Sequence, residues 1–235
     1  MIWLGIETSS MPLSIALMKD DDVLVELNEA MNITHSQRAM SAIDEVCRLA
    51  QIQPKEIEAI AVSEGPGSYT GVRIGVTLAK TLAWTLNVPL VGVSSLQVLA
   101  RNVQYAEGIV FPYIDARRGA VYGGAYHMKA GEIVATVLEE QHISMEQGIE
   151  NIQAYSQDLN VWAVSASRSF DESLKETFGE RFHRVEEAFA LPRASQVIRL
   201  AQEKMSTASV HTFVPEYLRM TEAETNWMKE QKSNE

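Results

Sequence analysis

The sequence is short of cysteine: Cys47 is the single one in 235 residues. No disulfide can close within the chain, which suits a reducing compartment. Nor does any run approach the ~18 apolar residues that a membrane-spanning helix needs. The N-terminus, Met1-Ile2-Trp3-Leu4-Gly5-Ile6-Glu7, lacks a basic segment and reaches an acid at once. It reads as a first strand and not as a secretion signal, so a cytoplasmic location without membrane contact is expected. Basic residues are scarce as well. Twenty Lys and Arg face 31 Asp and Glu, for a net charge of −11. Phosphate neutralisation dominates nucleic-acid affinity, so any RNA role is expected to be weak, local or delegated to a partner.

Chemistry-bearing patterns are thin too. The five histidines (His35, His127, His142, His183 and His211) include no pair with ligand spacing on one element, so no metal site is expected. His35 and Cys47 fall at opposite ends of one predicted helix, too far along it to form a dyad. Cys47 itself lies on the helix face that reads as buried, where a thiol acts as a small hydrophobe. A Walker loop is missing, because no Gly-Lys-Ser/Thr is present, and no Gly-x-Gly-x-x-Gly follows the first strand. No catalytic residue is assigned.

What remains is ordinary globular composition, 46% apolar and 22% charged. Residues 2–7, 13–18 and 23–27 read as three short strands joined by tight turns, an antiparallel meander. Thr34 and Gln37 have capping-box spacing, and Ala39, Met40, Ile43, Val46, Cys47 and Ala50 then recur at helical period. A strand over 57–62, a helix over 70–86 and a strand over 89–93 make a parallel crossover unit, followed by a helix over 95–105. The order then restarts. Strands are expected at 111–115, 120–126 and 133–138, a helix at 144–156, a strand at 161–164, and helices at 171–178 and 193–206. Ile6-Glu7 and Ile114-Asp115 are matching strand ends. The fold class expected is α/β, with two similar halves, mixed sheets and flanking helices around a cleft. That is the actin-like ATPase (ASKHA) architecture. The halves are placed at 1–105 and 106–235, with the end of the chain packing back on the first half.

Gly65-Pro66-Gly67-Ser68-Tyr69-Thr70-Gly71-Val72-Arg73-Ile74-Gly75 is the most informative stretch. Gly65 and Gly67 lie between a strand end and a helix start, where backbone turns sharply and approaches something closely. Free amides and the helix dipole favour a phosphate there, with Ser68, Tyr69 and Thr70 adding hydroxyls. The other reading is a turn with tight helix packing. Along the helix, Gly71, Gly75, Ala79 and Ala83 form a small row, Ile74, Leu78, Leu82 and Leu86 an apolar row, and Arg73, Thr77, Thr81 and Thr85 a polar one. Glycine in a helix costs about 0.5–1 kcal/mol against alanine, so the small row implies a compensating close contact.

At these residues the chain resembles the TsaB (YeaZ) family of bacterial tRNA threonylcarbamoyladenosine biosynthesis proteins. Further pieces are Gly5-Ile6-Glu7-Thr8-Ser9, Thr34-His35-Ser36-Gln37-Arg38, Val91-Gly92-Val93-Ser94-Ser95-Leu96, Ile114-Asp115-Ala116-Arg117 and Pro215-Glu216-Tyr217-Leu218-Arg219. The resemblance covers nearly the whole chain. It implies the actin-like fold and partnership with a TsaD-type catalytic subunit and a TsaE-type ATPase. The complex moves a threonylcarbamoyl group from threonylcarbamoyl-AMP to N6 of the adenosine beside the anticodon in tRNAs reading ANN codons. ATP or ADP is expected only in that complex, if at all, and tRNA only through it.

The catalytic relatives carry Asn-His-x-x-x-His after the strand corresponding to 90–93, and both histidines bind metal. Here Ser95 and Leu99 take those places, and leucine cannot ligate. The resemblance therefore implies a pseudo-enzyme. It also implies that the first two helices form a dimer surface, for the catalytic subunit or for a second copy. The interface residues expected are His35, Arg38, Met40, Ile43, Arg73, Ile74, Gly75 and Leu78. A nucleotide or phosphate loop, if used, would comprise Gly65, Gly67, Ser68, Tyr69, Thr70 and Gly71 with Thr8 and Ser9. Competing readings are a stand-alone metal-dependent glycoprotease, a small-molecule kinase, or a homodimeric regulator that binds nucleotide without chemistry. Glu7 and Asp115 read either as magnesium organisers or as loop stabilisers. Arg117 and Arg118 read either as a solvated hairpin tip or as an anion contact. The acidic stretch ending at Trp227 reads as a docking peptide or a frayed end.

Overall fold

The computed structural model describes residues 1–30, 35–103, 105–204 and 209–218. Thr34, with its expected capping box, and the stretch ending at Trp227 lie outside these residues, as does the His35 side chain.

The first half runs β1 (Ile2–Glu7), β2 (Leu13–Lys19), β3 (Asp22–Glu29), α1 (His35–Ala50), β4 (Ala59–Gly65), α2 (Tyr69–Leu86), β5 (Leu90–Ser94) and α3 (Ser95–Arg101). The second runs β6 (Gly108–Asp115), β7 (Ala120–Lys129), β8 (Glu132–Ser144), α4 (Met145–Tyr155), β9 (Val161–Val164), α5 (Asp171–Phe178) and β10 (Phe182–Arg184), and α6 (Ala194–Lys204) follows. The first sheet has the order β3-β2-β1-β4-β5 and the second, read from its other edge, β8-β7-β6-β9-β10. The two orders are the same. β1 pairs antiparallel with β2 and parallel with β4, as β6 does with β7 and β9. The repeat that sequence identity is too slight to prove is thus explicit in the topology, and the fold is the expected actin-like one.

The first sheet is covered on both faces, so its central strand reads as a continuous apolar run. Leu4 and Ile6 face α1 and α2, packing with Ile15, Ile60, Val62, Val46 and Val76. Trp3 points the other way, with Met18, Ala61, Val91, Val197 and Ile198. That second cover is α6, and here an expectation fails. The helix near 193–206 was expected to complete the second half, yet it packs on the first sheet. Its inward stripe of Val197, Ile198 and Ala201 is the reason. Polar contacts fix it there: the Ala194 amide donates to Ser14 Oγ at 2.8 Å, and Arg193 pairs with Glu26.

Boundaries differ in smaller ways. Pro54–Glu56 forms one 3-10 turn, so the strand expected from 57 starts at Ala59. The helix expected to reach 105 ends at Arg101. β7 and β8 run longer than expected and pair through several register shifts. The short edge strand β10 was not anticipated.

Candidate functional site

The loop joining β4 to α2 packs on the turn after β1. The Ser68 amide donates to the Ser9 carbonyl at 2.6 Å, and Thr8 Oγ1 donates to the Gly71 carbonyl at 2.8 Å. Ser68 Oγ caps α2 by accepting from the Gly71 amide. A Cβ on Gly67 would collide with the Ser9 carbonyl, and one on Gly71 with the Thr8 carbonyl. The close approach inferred from the glycines is therefore real, but the thing approached is the chain's own backbone. Thr8 and Ser9 are buried, and Ser9 donates from both N and Oγ to Glu7 Oε1 at 2.6 Å. Glu7 also accepts from Ser63. These groups hold a turn in place, and Ser9 takes up the space where a Gly67 side chain would stand. Tyr69 and Thr70 stand at the exposed start of α2.

The interface expectation divides in the same way. Gly71, Gly75, Ala79 and Ala83 are buried against the first sheet, and a Cβ on Gly75 would strike Thr8 Oγ1. Ile43 is likewise in the core. Gly75 and Ile43 were expected at the interface without a direction, and both face inward: the small row lets α2 settle onto β1 and β4, and Ile43 packs from α1 into the same core. Arg38 is engaged within the chain, with Glu29 holding two of its nitrogens and Glu45 a third contact at 2.6 Å. Those hydrogen bonds, Glu29 first and Glu45 second, keep its guanidinium firmly protonated. What stays outside is a groove of about 700 Å³ between α1 and α2, lined by Met40, Tyr69, Arg73, Ile74, Thr77 and Leu78 among others. Met40 is 51% exposed at its rim. Arg73 lies over the Tyr69 ring with Cζ 3.9 Å from the centroid, and its Nε donates to the Tyr217 hydroxyl at 2.7 Å.

Between the two sheets, at the carboxyl ends of parallel strands β4 and β5, lies a cleft of about 600 Å³. Such ends are where α/β folds usually place a ligand. Here the walls are acidic: among the described residues, Glu64, Glu139, Glu140, Glu203 and Glu216 face a single cation, Lys204. Tyr126 and Ser94 donate to opposite oxygens of Glu140 at 2.5 and 2.6 Å, tying the β5–α3 junction to the β7–β8 hairpin. Burial, then the Glu140 charge, pushes the Tyr126 hydroxyl far above its ordinary pKa. Leu99 is 3% exposed and packs with Val110, Tyr126, Met128, Val164 and Val185 of the second half. Ser95 is equally buried. No group of three or more His, Cys, Asp or Glu among the described residues could hold a metal ion. A metal of the kind the catalytic relatives carry does not fit these residues. Cys47 is buried in the first core, and that burial raises its pKa, which suits an inert thiol. Asp115 accepts from the Arg117 amide at 2.7 Å and from Ser167 and Ser169, so it braces its own loop. No helix among the described residues is long and apolar enough to cross a membrane.

A family model described as "TsaD: tRNA N6-adenosine threonylcarbamoyltransferase" matches residues 29–227. A Bacillus subtilis (strain 168) protein named "tRNA threonylcarbamoyladenosine biosynthesis protein TsaB" is 39% identical over 230 residues, covering 97% of this chain and 99% of that one. The chain belongs to the TsaB family. A TsaB of the same description from Haemophilus influenzae is 30% identical, with 96% and 95% of the two chains covered. A solved Pseudomonas aeruginosa structure, described as similar to peptidase YEAZ, superposes with a TM-score of 0.77 at 24% identity, over 93% of this chain and 99% of that one. It supports the fold assignment.

At these surfaces of the TsaB chain, the role of Glu140 and the contacts of Tyr217 escaped the sequence reading, in which Tyr217 figured only within the piece 215–219. Tyr217 stacks on Tyr69 with ring centroids 5.4 Å apart, although 148 positions separate them in the chain (217 − 69). Glu140 bridges the halves from inside a long strand. Neither set of contacts carries a local signal, because each residue gets its partners from another element.

Proposed function

We propose that this chain is the non-catalytic, activating subunit of the complex that places threonylcarbamoyl on N6 of the adenosine beside the anticodon. It works with a TsaD-type catalytic subunit and a TsaE-type ATPase, and it meets tRNA only through them. The α1–α2 groove is the surface that seats the TsaD-type subunit, or a second copy of this chain when that subunit is absent. Met40, Arg73, Ile74 and Leu78 carry it, and Gly75 and Ile43 support it from within.

Leu99 is the observation that carries the reading. It stands where the catalytic relatives have a metal-binding histidine, and it is buried in an apolar cluster that joins the two halves. Metal-assisted chemistry needs an open position and several ligands. A leucine packed against Val110 and Met128 provides neither. The acidic cleft adds a second support, since among the described residues phosphate groups would face five carboxylates and one lysine. ATP or ADP therefore belongs, on this reading, to the other subunits.

Reconstitution tests it. The purified chain, a TsaD-type subunit and a TsaE-type ATPase are assayed for tRNA modification with threonylcarbamoyl-AMP, together and with each left out. Modification is expected only when this chain and the TsaD-type subunit are both present. Turnover of any substrate by the isolated chain would overturn the reading in favour of a kinase or protease.

A further inference from the structure

Residues 209–218 return to the first half along the edge between the groove and the cleft. Phe213 is buried in the core beneath α2, and Lys80 Nζ donates to its carbonyl at 2.6 Å. The Glu216 amide then donates to the Glu64 carbonyl at 2.7 Å, which ties the segment to the last residues of β4. Gly65, at φ +119, makes room for it, because a Cβ there would strike the Glu216 carbonyl. Glu216 and Leu218 line the cleft. Tyr217, between them, turns to the groove, where Arg73 and Tyr69 hold it.

We propose that the segment from Pro215 to Leu218 couples the α1–α2 groove to the interdomain cleft. A partner that lies on the groove meets Arg73 and Tyr69, the two groups that hold Tyr217. Moving Tyr217 moves both of its neighbours, which are walls of the cleft. Upstream the chain is anchored at Phe213, so the displacement does not run back past that residue. The coupling is reciprocal: whatever fills or reshapes the cleft at Glu216 changes affinity at the groove by the same factor. This inference rests on the reading that the groove seats the TsaD-type subunit.

Hydrogen exchange on the full chain tests it. In the isolated protein, Tyr217→Ala is expected to speed exchange of the Glu216 amide about tenfold, and Tyr217→Phe, which keeps the ring and loses the hydroxyl, by less. With saturating TsaD-type subunit, wild-type peptides from the cleft walls (64–68 and 136–141) are expected to change exchange rate at least about threefold, and those of Tyr217→Ala to stay unchanged. The two readings fail in different ways. If Met40→Glu binds the TsaD-type subunit at wild-type affinity, the groove is not the seat and the coupling falls with it. If Met40→Glu weakens binding but the wild-type cleft peptides do not respond, the coupling alone is overturned. A cleft response of equal size in wild type and Tyr217→Ala also overturns it, because the signal then travels another way.

Discussion

Single atoms decide how α2 is used. Gly75 sits in the small row that packs on Thr8, so its missing Cβ is needed by the fold before any partner is considered. Gly75→Leu is therefore expected to cost about 3 kcal/mol or more of folding stability, read as a lower urea midpoint for the isolated chain. A variant with wild-type stability and lost partner binding would show that the row faces outward after all. Tyr126 offers a test through pH. Burial and the Glu140 carboxylate hold its hydroxyl protonated in the fold, whereas in the unfolded chain it ionises near its ordinary value of about 10. Above that pH the unfolded state binds fewer protons than the folded one, so stability falls as pH rises. Below it the contribution is fully present. Urea denaturation between pH 8 and pH 11 should show a steeper loss in wild type than in Tyr126→Phe. Equal slopes would mean that this tyrosine does not titrate differently in the two states.

At the scale of elements, α1 and α2 present one face to the core and another to the groove, and the division is sharp. Val46, Cys47 and Ala42 of α1 are buried, and Met40 stands out. Met40→Glu is expected to leave stability within about 0.5 kcal/mol of wild type, as exposed substitutions do. It is expected to weaken association with the TsaD-type subunit at least tenfold, a loss of about 1.4 kcal/mol of the kind interface anchors carry. Titration calorimetry measures both partners directly, and unchanged affinity would remove this groove from the interface. The α6 helix teaches the complementary lesson. Its amphipathic stripe was legible as a helix over 193–206, but the stripe says only that one face is covered. Trp3 and Met18, far back in the chain, supply the cover.

The whole molecule is acidic, with a net charge of −11, and the described lining of its cleft is acidic too. Counterion release from phosphates drives most RNA affinity, so the chain alone is expected to leave tRNA unshifted in a gel at physiological salt. A clear shift by the isolated chain would mean that a local basic site outweighs the overall charge. The two sheets meet through Leu99, the Ser94–Glu140–Tyr126 bridge and the Asn102 amide, which donates to the Phe189 and Leu191 carbonyls. That junction is filled with side chains, which hold the two halves together.

Much of this was written in the sequence. The period of the apolar residues gave the helices and the meanders, and the repeated order of elements gave two like halves, because local hydrogen bonding and burial of one face act over a few residues. The motifs around Gly65 and Ser95 were enough to place the chain in its family and to show the histidines replaced. The directions of the rows were not legible. A small row on a helix says that something comes close, and only the folded chain shows that Thr8 and Ser9 do. Tyr217 met Arg73, and α6 met the first sheet, through contacts more than a hundred residues apart along the chain. Such contacts depend on where the whole chain runs, and no window of sequence contains both partners.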